Sequence, residues 1–117
     1  MSTLRSDIWC MAFVRRHNDL GHFCVVVRRG DPIAGQVFLE VDHLDGTRSL
    51  YTPAPMLSRG EKEGPVFQCR FQRVEPDKVR DRIEQEVAFD PDLWVLGVDL
   101  RTDDDLGIEV VAAPETR

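Results

Sequence analysis

Two neighbouring arginines are the first residues in this sequence that could bind an anion. Arg28 and Arg29 end an apolar run and precede Gly30. Guanidinium groups form forked hydrogen bonds with phosphate and carboxylate oxygens, and phosphate-binding turns often follow a strand. A phosphate loop would carry more glycine and would open a helix. Pairing with the excess acidic side chains at the end of a strand is therefore the favoured explanation of these arginines.

A second segment with possible chemistry runs from Phe89 to Trp94 and contains Asp90, Pro91 and Asp92. Carboxylates can bind a hard cation, but the spacing is not that of an EF-hand. We expect Asp90 to cap a turn begun by Pro91, with Phe89 and Trp94 entering the core on either side. If the two segments meet in a pocket, the candidate ligand-binding residues are Arg28, Arg29, Asp90, Asp92 and Trp94.

Histidine and cysteine residues offer metal and nucleophilic chemistry only in loose patterns. His17, His22 and Cys24 are close in sequence, but their spacing is unlike known zinc sites and a fourth ligand is not evident. A nucleophile and base pair would need a thiol such as Cys69 beside His22 or His43. Both Cys24 and Cys69 fall where a buried strand is expected, and a buried thiol is inert. We predict no catalytic residue, no metal and no cofactor.

Composition and charge exclude several classes of function. The 117 residues are 42% hydrophobic, which suffices for one core and for a single domain over residues 1–117. The net charge of -6 argues against nucleic-acid or anionic-membrane partners, because both need clustered positive charge. Three cysteines without CxxC spacing favour a reducing compartment. No apolar run approaches the ~20 residues of a membrane span, and we expect a cytoplasmic protein.

Hydrophobic periodicity predicts a helix and then a strand in the first part of the chain. Apolar residues recur at helical spacing from Thr3 to Leu20, and Gly21 supplies a C-cap. The predicted core-facing stripe consists of Leu4, Ile8, Met11, Ala12 and Arg15, widened by Trp9 and Phe13. His22 to Arg29 is apolar on both faces, as expected of a central strand.

The strongest local signal is a β-hairpin around Asp45-Gly46. Gln36 to Leu44 alternates apolar and polar residues and runs into this dipeptide, which is preferred in two-residue type I′ turns. A two-residue loop places Val41 opposite Leu50, with both side chains on the core face. After this hairpin, Met56 to Gly64 is the longest polar loop.

The second half of the chain is predicted to contain a strand, a helix and a further strand. Pro65 to Val74 alternates, and Pro76 suits the first turn of an amphipathic helix that ends near Asp90. Trp94 begins the next strand, and Ile108 to Val111 adds a short one. The order helix, four strands, helix, strand predicts an α+β fold, an antiparallel sheet of four to six strands with two helices packed on one face.

Several short motifs together resemble one protein family. They are Ser6-Asp7-Ile8-Trp9, Arg28-Arg29-Gly30-Asp31-Pro32 with Ala34-Gly35, Leu50-Tyr51 followed by Pro53-Ala54-Pro55, and Phe89-Asp90-Pro91-Asp92-Leu93-Trp94-Val95. In this order they resemble the small bacterial domain-of-unknown-function family 1491 over nearly the full length. The resemblance implies a bacterial cytosolic protein of α+β type without an established biochemical role, so it carries over no catalytic residues.

Two classes of function remain open from the sequence. The favoured class is a non-catalytic binding or protein-interaction module that contacts a protein partner or forms a homodimer through exposed side chains. The alternative is a small-molecule or anion-binding protein, or an enzyme, with its site near Arg28, Arg29 and the Phe89–Trp94 segment. A large self-complementary surface favours the first class, and a concave pocket lined by these residues favours the second.

Overall fold

The computed structural model describes residues 5–55, 65–101 and 104–111. The described helices are α1 (Ser6–Asp19) and α2 (Pro76–Phe89). The described strands are β1 (Cys24–Arg28), β2 (Val37–Asp42), β3 (Arg48–Pro53), β4 (Val66–Val74), β5 (Trp94–Asp99) and β6 (Glu109–Val111). The order along the chain is helix, four strands, helix and two strands, which differs from the predicted order of helix, four strands, helix, strand by the short terminal strand β6. The predicted loop from Met56 to Gly64 lies outside the described residues. Neither described helix is long and apolar enough to cross a membrane.

The six strands form one mixed sheet in the order β1-β5-β2-β3-β4-β6. The pairs β1–β5, β2–β3 and β3–β4 are antiparallel, whereas β2–β5 and β4–β6 are parallel. The prediction of an antiparallel sheet is therefore wrong. Turn motifs predict pairing only between strands that follow each other along the chain. Strand β5, however, inserts between β1 and β2 after a crossover that contains α2. Such a crossover permits a parallel pair.

The two helices lie on opposite faces of this sheet, so the prediction that both pack on one face is also wrong. Phe13 of α1 packs in a core with Leu39 of β2. Val79 of α2 packs in a second core with Phe38 of β2 and Val95 of β5. Adjacent residues of one strand thus serve different cores, because successive side chains point to opposite faces. A helix on each face buries the central strands on both sides.

The β2–β3 hairpin has a register one residue away from the predicted one. Val41 is paired with Ser49 rather than with Leu50. The loop comprises residues 44–46, and Leu44 and Gly46 have φ angles of 65° and 92°. The additional loop residue shifts the register, and a shift of one residue reverses the faces of a strand. Leu50 consequently lies in the core beneath α2, whereas Val41 lies in the core beneath α1.

Helix α1 contacts the sheet through a different face from the predicted one. Cys10, Phe13 and His17 are buried, whereas Ile8 is 51% exposed and Met11 is 46% exposed. The helix carries two apolar stripes, and spacing alone does not decide which one packs on the sheet. The buried stripe carries the aromatic rings, which supply more contact area than Ile8 and Met11. Ile8 and Met11 are therefore left on the outer face of the helix.

Candidate functional site

The residues predicted to bind a ligand meet at one corner of the sheet. The Nη2 atom of Arg28 donates a hydrogen bond to the carbonyl oxygen of Pro91 at 2.8 Å. The guanidinium carbon of Arg29 lies 5.2 Å from the centroid of the Trp94 ring, within cation–π range. The connection that follows β1 and the connection that precedes β5 are therefore in direct contact. We call this region the Arg28–Trp94 corner.

Backbone contacts fill the interior of the Arg28–Trp94 corner. The indole nitrogen of Trp94 donates to the carbonyl oxygen of Asp31 at 2.7 Å, and the Asp31 amide donates to the carbonyl oxygen of Asp92 at 2.9 Å. A Cβ atom added to Gly30 would lie 2.1 Å from that Asp92 oxygen, and one added to Gly35 would lie 2.4 Å from it. Glycine is required at both positions because the two backbones approach so closely. Trp94 is fully buried, so the corner is a packed joint.

The aspartates of this corner form a local turn. The Oδ1 atom of Asp90 accepts the Asp92 amide at 3.1 Å, and the Asp90 carbonyl accepts the Leu93 amide at 3.2 Å. This confirms the predicted capping role of Asp90. The predicted burial of Phe89 is wrong, because its side chain is 90% exposed. Val87 packs on the core, and Phe89, two residues further along α2, projects from the opposite side of the helix.

Beyond Arg29, the outer face of α1 carries a broad depression with a volume of about 670 Å³. Its apolar lining comes from Ile8, Met11 and Leu20, and its charged lining includes Arg15 and Arg29. Ile8 and Met11 lie on the outer stripe of α1, and Leu20 directly follows the end of the helix. The depression therefore lies on a face of α1 that no other described element of the chain covers.

Strand β1 lies next to this helix face at the edge of the described sheet, where its single partner strand is β5. The prediction of a central strand over His22 to Arg29 is therefore wrong. Phe23, Val25 and Val27 are 64%, 38% and 57% exposed. Val25 and Val27 lie beside Gly97 of β5, on the face of the sheet opposite α1. Within the described part of the chain, this strand with a central-strand sequence thus has one edge without a partner strand and one exposed apolar face.

Most of the exposed apolar side chains belong to this one side of the molecule. Seven of the ten large apolar side chains exposed in the described residues fall within residues 8–33. Extended apolar patches are uncommon on monomeric proteins and mark interaction sites. We define the α1–β1 flank by the exposed side chains of Ile8, Met11, Leu20, Phe23, Val25 and Val27.

The cysteines and histidines give no support to nucleophilic or metal chemistry. Burial raises the pKa of the Cys10 thiol to about 12 and that of Cys24 to about 11, and it also raises the pKa of Cys69. The reactive thiolate is therefore strongly disfavoured. The Nδ1 atoms of His17 and His22 are 2.8 Å apart. Among the described residues no group of three or more histidine, cysteine or acidic side chains is placed to hold a metal.

A polar cluster without any sequence signature joins β2, β3 and β4. The Nε2 atom of His43 lies 2.7 Å from the Ser49 hydroxyl, which also accepts the Arg73 amide at 3.0 Å. Burial and the nearby Arg73 lower the pKa of His43, which favours its neutral form. Ser49 is only 1% exposed and binds the backbone where Arg73 has a φ of 53°. The hydroxyl thus stabilises an irregular strand, and its contacts depend on a hairpin register that local signals do not reveal.

Solved structures of similar proteins share this architecture. A crystal structure of a DUF1491 family protein from Caulobacter crescentus CB15 has a TM-score of 0.76 and 27% identity, covering 94% of this chain and 99% of that chain. The solution structure of protein Atu0922 from A. tumefaciens has a TM-score of 0.79 and 30% identity, covering 98% and 100%. An NMR structure of a DUF1491 family protein from Caulobacter crescentus CB15 has a TM-score of 0.76 and 28% identity, covering 95% and 99%.

The family profile described as "Protein of unknown function (DUF1491)" matches residues 4–106. No curated protein matches the sequence. The family match confirms the resemblance indicated by the order of the short motifs, and it extends over both the Arg28–Trp94 corner and the α1–β1 flank. The chain therefore belongs to the DUF1491 family of proteins of unknown function.

Proposed function

We propose that this protein is a non-catalytic interaction module whose α1–β1 flank binds the same flank of a second copy. The observation that carries the proposal is an edge of β1 that no other described strand pairs with, occupied by Asn18 only at Cys24 and flanked on both sides by exposed apolar side chains. An open edge strand with apolar side chains is a template for pairing with another chain. A surface that binds its own copy must be self-complementary about a two-fold axis, and the flank has this property in three respects.

The first respect is the arrangement of exposed apolar side chains along β1. Antiparallel pairing of β1 with its copy about an axis at Val26 places Val25 opposite Val27 of the second copy. Both side chains are exposed and lie on the face opposite α1. Pairing would therefore join the two sets of valines and Phe23 side chains into one apolar strip. The irregularity between Val26 and Arg28 and the two hydrogen bonds between Asn18 and Cys24 limit main-chain pairing to the residues around Val26, so the apolar strip would supply most of the contact.

The second respect is the position of α1 relative to the same axis. The chain reverses direction between α1 and β1, and it advances ~3.3 Å per residue in the strand and ~1.5 Å per residue in the helix. Measured along the strand direction, Val26 therefore lies at about the level of Met11 to Phe13 of α1. Helix α1 packs on β1 and on its neighbour β5. With strands ~4.8 Å apart, two such helices would lie about 10 Å from each other, near the usual helix packing distance. One axis thus brings both the strand edges and the outer helix faces together.

The third respect is the charge along α1. Asp7 lies near the helix start, and Arg15 and Arg16 lie near its end. Antiparallel helices that meet at Met11 would bring Asp7 of each copy close to Arg15 of the other, a complementary arrangement. A hydrogen-bonded ion pair with Arg5 lowers the pKa of Asp7, which keeps the carboxylate charged. Charge therefore favours the same orientation as the apolar pattern.

Binding of an anion at the Arg28–Trp94 corner is the second candidate function, and one observation favours it. The Arg29 guanidinium is stacked on Trp94, and Arg29 is exposed on the surface of the corner. Asp90 and Asp92 would oppose an anion there, and Arg28 already donates to Pro91. A thermal shift with inorganic phosphate that disappears in Arg29→Ala would support this function. An unchanged shift in that variant would contradict it.

Light scattering on chromatographed protein tests the main proposal. We expect the wild-type chain to have twice the mass of one chain at high concentration and to dissociate on dilution. Val27→Lys should be monomeric, because it places a charge in the apolar strip beside the strand edge. Met11→Glu should weaken association through the helix face.

Leu44→Lys is the matched control for this experiment. Leu44 is as exposed as Val27, at 54% against 57%, but lies in the β2–β3 loop away from the flank. Its association should equal that of the wild type. A wild-type chain that is monomeric at every concentration would contradict the proposal. Equal dissociation of Leu44→Lys and Val27→Lys would also contradict it.

A further inference from the structure

Two histidines link α1 to the segment of residues 104–111 through a chain of hydrogen bonds. The Nε2 atom of His17 lies 2.8 Å from the Leu106 carbonyl oxygen, and its Nδ1 atom lies 2.8 Å from Nδ1 of His22. The Nε2 atom of His22 lies 3.5 Å from a carboxylate oxygen of Asp104. Both ends of this chain of hydrogen bonds therefore lie within residues 104–111.

The partners determine where the protons lie. The Leu106 carbonyl can only accept, so Nε2 of His17 carries a hydrogen. In a neutral His17 the Nδ1 atom is then an acceptor, and Nδ1 of His22 must donate to it. The Asp104 carboxylate favours a second hydrogen on Nε2 of His22. The hydrogen bonds of the two histidines thus accommodate one positive charge, on the His22 ring that faces Asp104.

A second proton would have to enter on His17, where the surroundings oppose it. The His17 side chain is fully buried, and its ring lies 4.5 Å from that of Phe13. Burial lowers the pKa of His17, and the neighbouring His22 and Arg16 lower it further, whereas the hydrogen bond to Leu106 and the charge of Asp105 raise it. Protonation would also place two N–H groups against each other at 2.8 Å. The doubly protonated pair is therefore incompatible with this packing.

The segment over His17 is held less firmly than the turn beside it. The turn is closed by hydrogen bonds that the amides of Leu20 and His22 donate to the His17 carbonyl, and by two hydrogen bonds between Asn18 and Cys24. The segment is held to α1 mainly by the histidine chain and by one bond from Arg16 to the Gly107 carbonyl at 2.9 Å. Its strand β6 pairs with β4 at only three positions. Water can therefore reach a charged His17 most readily when residues 104–111 move away from α1.

We propose that His17 and His22 form an acid-sensitive latch, in which a second proton on the pair releases residues 104–111 from α1. Release uncovers the core surface on which Leu106 and Ile108 pack. It also removes β6, one of the two partner strands of β4, and leaves β4 with an open edge. This device does not require association through the α1–β1 flank, because His17 lies on the buried side of α1, whereas Ile8 and Met11 lie on its outer face.

The sign of the pH dependence follows from the lowered pKa of His17. The stabilisation from neutral His17 is complete above the ordinary pKa of 6.5 and is lost as the pH falls through the lowered pKa. The charged groups that face the pair are Arg16, Asp104 and Asp105.

Hydrogen exchange measured at several pH values tests the latch in the whole chain. After correction for the intrinsic rate, exchange at residues 108–111 should accelerate by about 10-fold or more between pH 7 and pH 5, the change that one unit of pKa produces. Exchange in β2 and β5 should be unaffected. Ring nitrogen shifts at neutral pH should show the Nε2–H tautomer for His17.

Two variants separate the latch from a purely structural role. His17→Gln retains a donor for the Leu106 carbonyl but does not titrate, so its exchange at residues 108–111 should be independent of pH. His22→Gln retains a donor for neutral His17, removes the neighbouring charge that lowers the pKa of His17, and offers an amide oxygen that can accept from protonated His17, so the acceleration should be smaller than in the wild type. Unchanged exchange in the wild type, or an equal acceleration in His17→Gln, would overturn the proposal. If His17→Gln does not fold, an acceleration in His22→Gln as large as that of the wild type would overturn it.

Discussion

The Arg28–Trp94 corner and the α1–β1 flank lie side by side but use their residues in opposite ways. The corner contains arginines, aspartates and a tryptophan that suggest ligand binding, yet its interior is filled by the backbones of Gly30, Gly35 and Asp92. The flank contains valine, isoleucine and phenylalanine residues that suggest a core, yet they are exposed. The comparison teaches that a concentration of short motifs can mark a packing joint, while apolar periodicity can mark an exposed surface.

The largest effect is expected from removing the aromatic ring at the centre of the corner. Trp94→Ala should reduce the free energy of unfolding by ~3 to 5 kcal/mol, because a fully buried aromatic side chain leaves a cavity. Phe89→Ala, at a 90% exposed aromatic of the same segment, should change it by less than about 0.5 kcal/mol. Denaturant unfolding measures both. Similar losses in the two variants would remove the contrast between packed and exposed positions.

A smaller loss is expected from filling the close approach of the two backbones. Gly30→Ala should destabilise the fold by about 1 to 3 kcal/mol, because the new Cβ would lie 2.1 Å from the Asp92 carbonyl oxygen. Gly97→Ala is the control, since its nearest neighbour is the Val27 side chain at 3.1 Å, which is exposed and can turn away. Thermal unfolding should therefore rank the two variants clearly. A Gly30→Ala variant as stable as the wild type would contradict the close packing of the two backbones at this corner.

The carboxylates of the corner give a still smaller effect. Asp90→Ala should cost about 1 kcal/mol, because the Asp92 amide loses its acceptor. Asp92→Ala, whose side chain is exposed, should leave the unfolding free energy unchanged. If both variants are unchanged or more stable in denaturant melts, the carboxylates are better explained as part of a binding site, since such sites often sacrifice stability for function.

The smallest effect on folding is expected on the flank. Ile8→Gln should change the unfolding free energy of the dissociated chain by no more than about 0.5 kcal/mol, because Ile8 is 51% exposed. The measurement is a denaturant melt at a concentration where light scattering shows single chains. A loss comparable to that of a buried aliphatic residue would place Ile8 in the core and remove it from the flank.

Local patterns predicted much of the fold, but less of the site. The bounds of α2, β4 and β5 follow from periodicity, the proline at the start of the helix and the turn at Asp90. The contact between the segments of Arg28 and Trp94 was predicted only as a possibility, since no local signal links residues so far apart. Exposure of the flank was not predicted, because an apolar residue looks the same in sequence whether a core or a second molecule covers it.

The sequence by itself determined which residues form helices and strands, which faces are apolar, and that Asp90 begins a tight turn. These properties depend on interactions within a few residues. Only the tertiary structure decided that β5 inserts between β1 and β2, which stripe of α1 packs on the sheet, and that Leu50 faces α2 rather than α1. The physical reason is that each amphipathic element offers several pairings of similar local energy. The choice among them depends on how well all the side chains fill two cores at once.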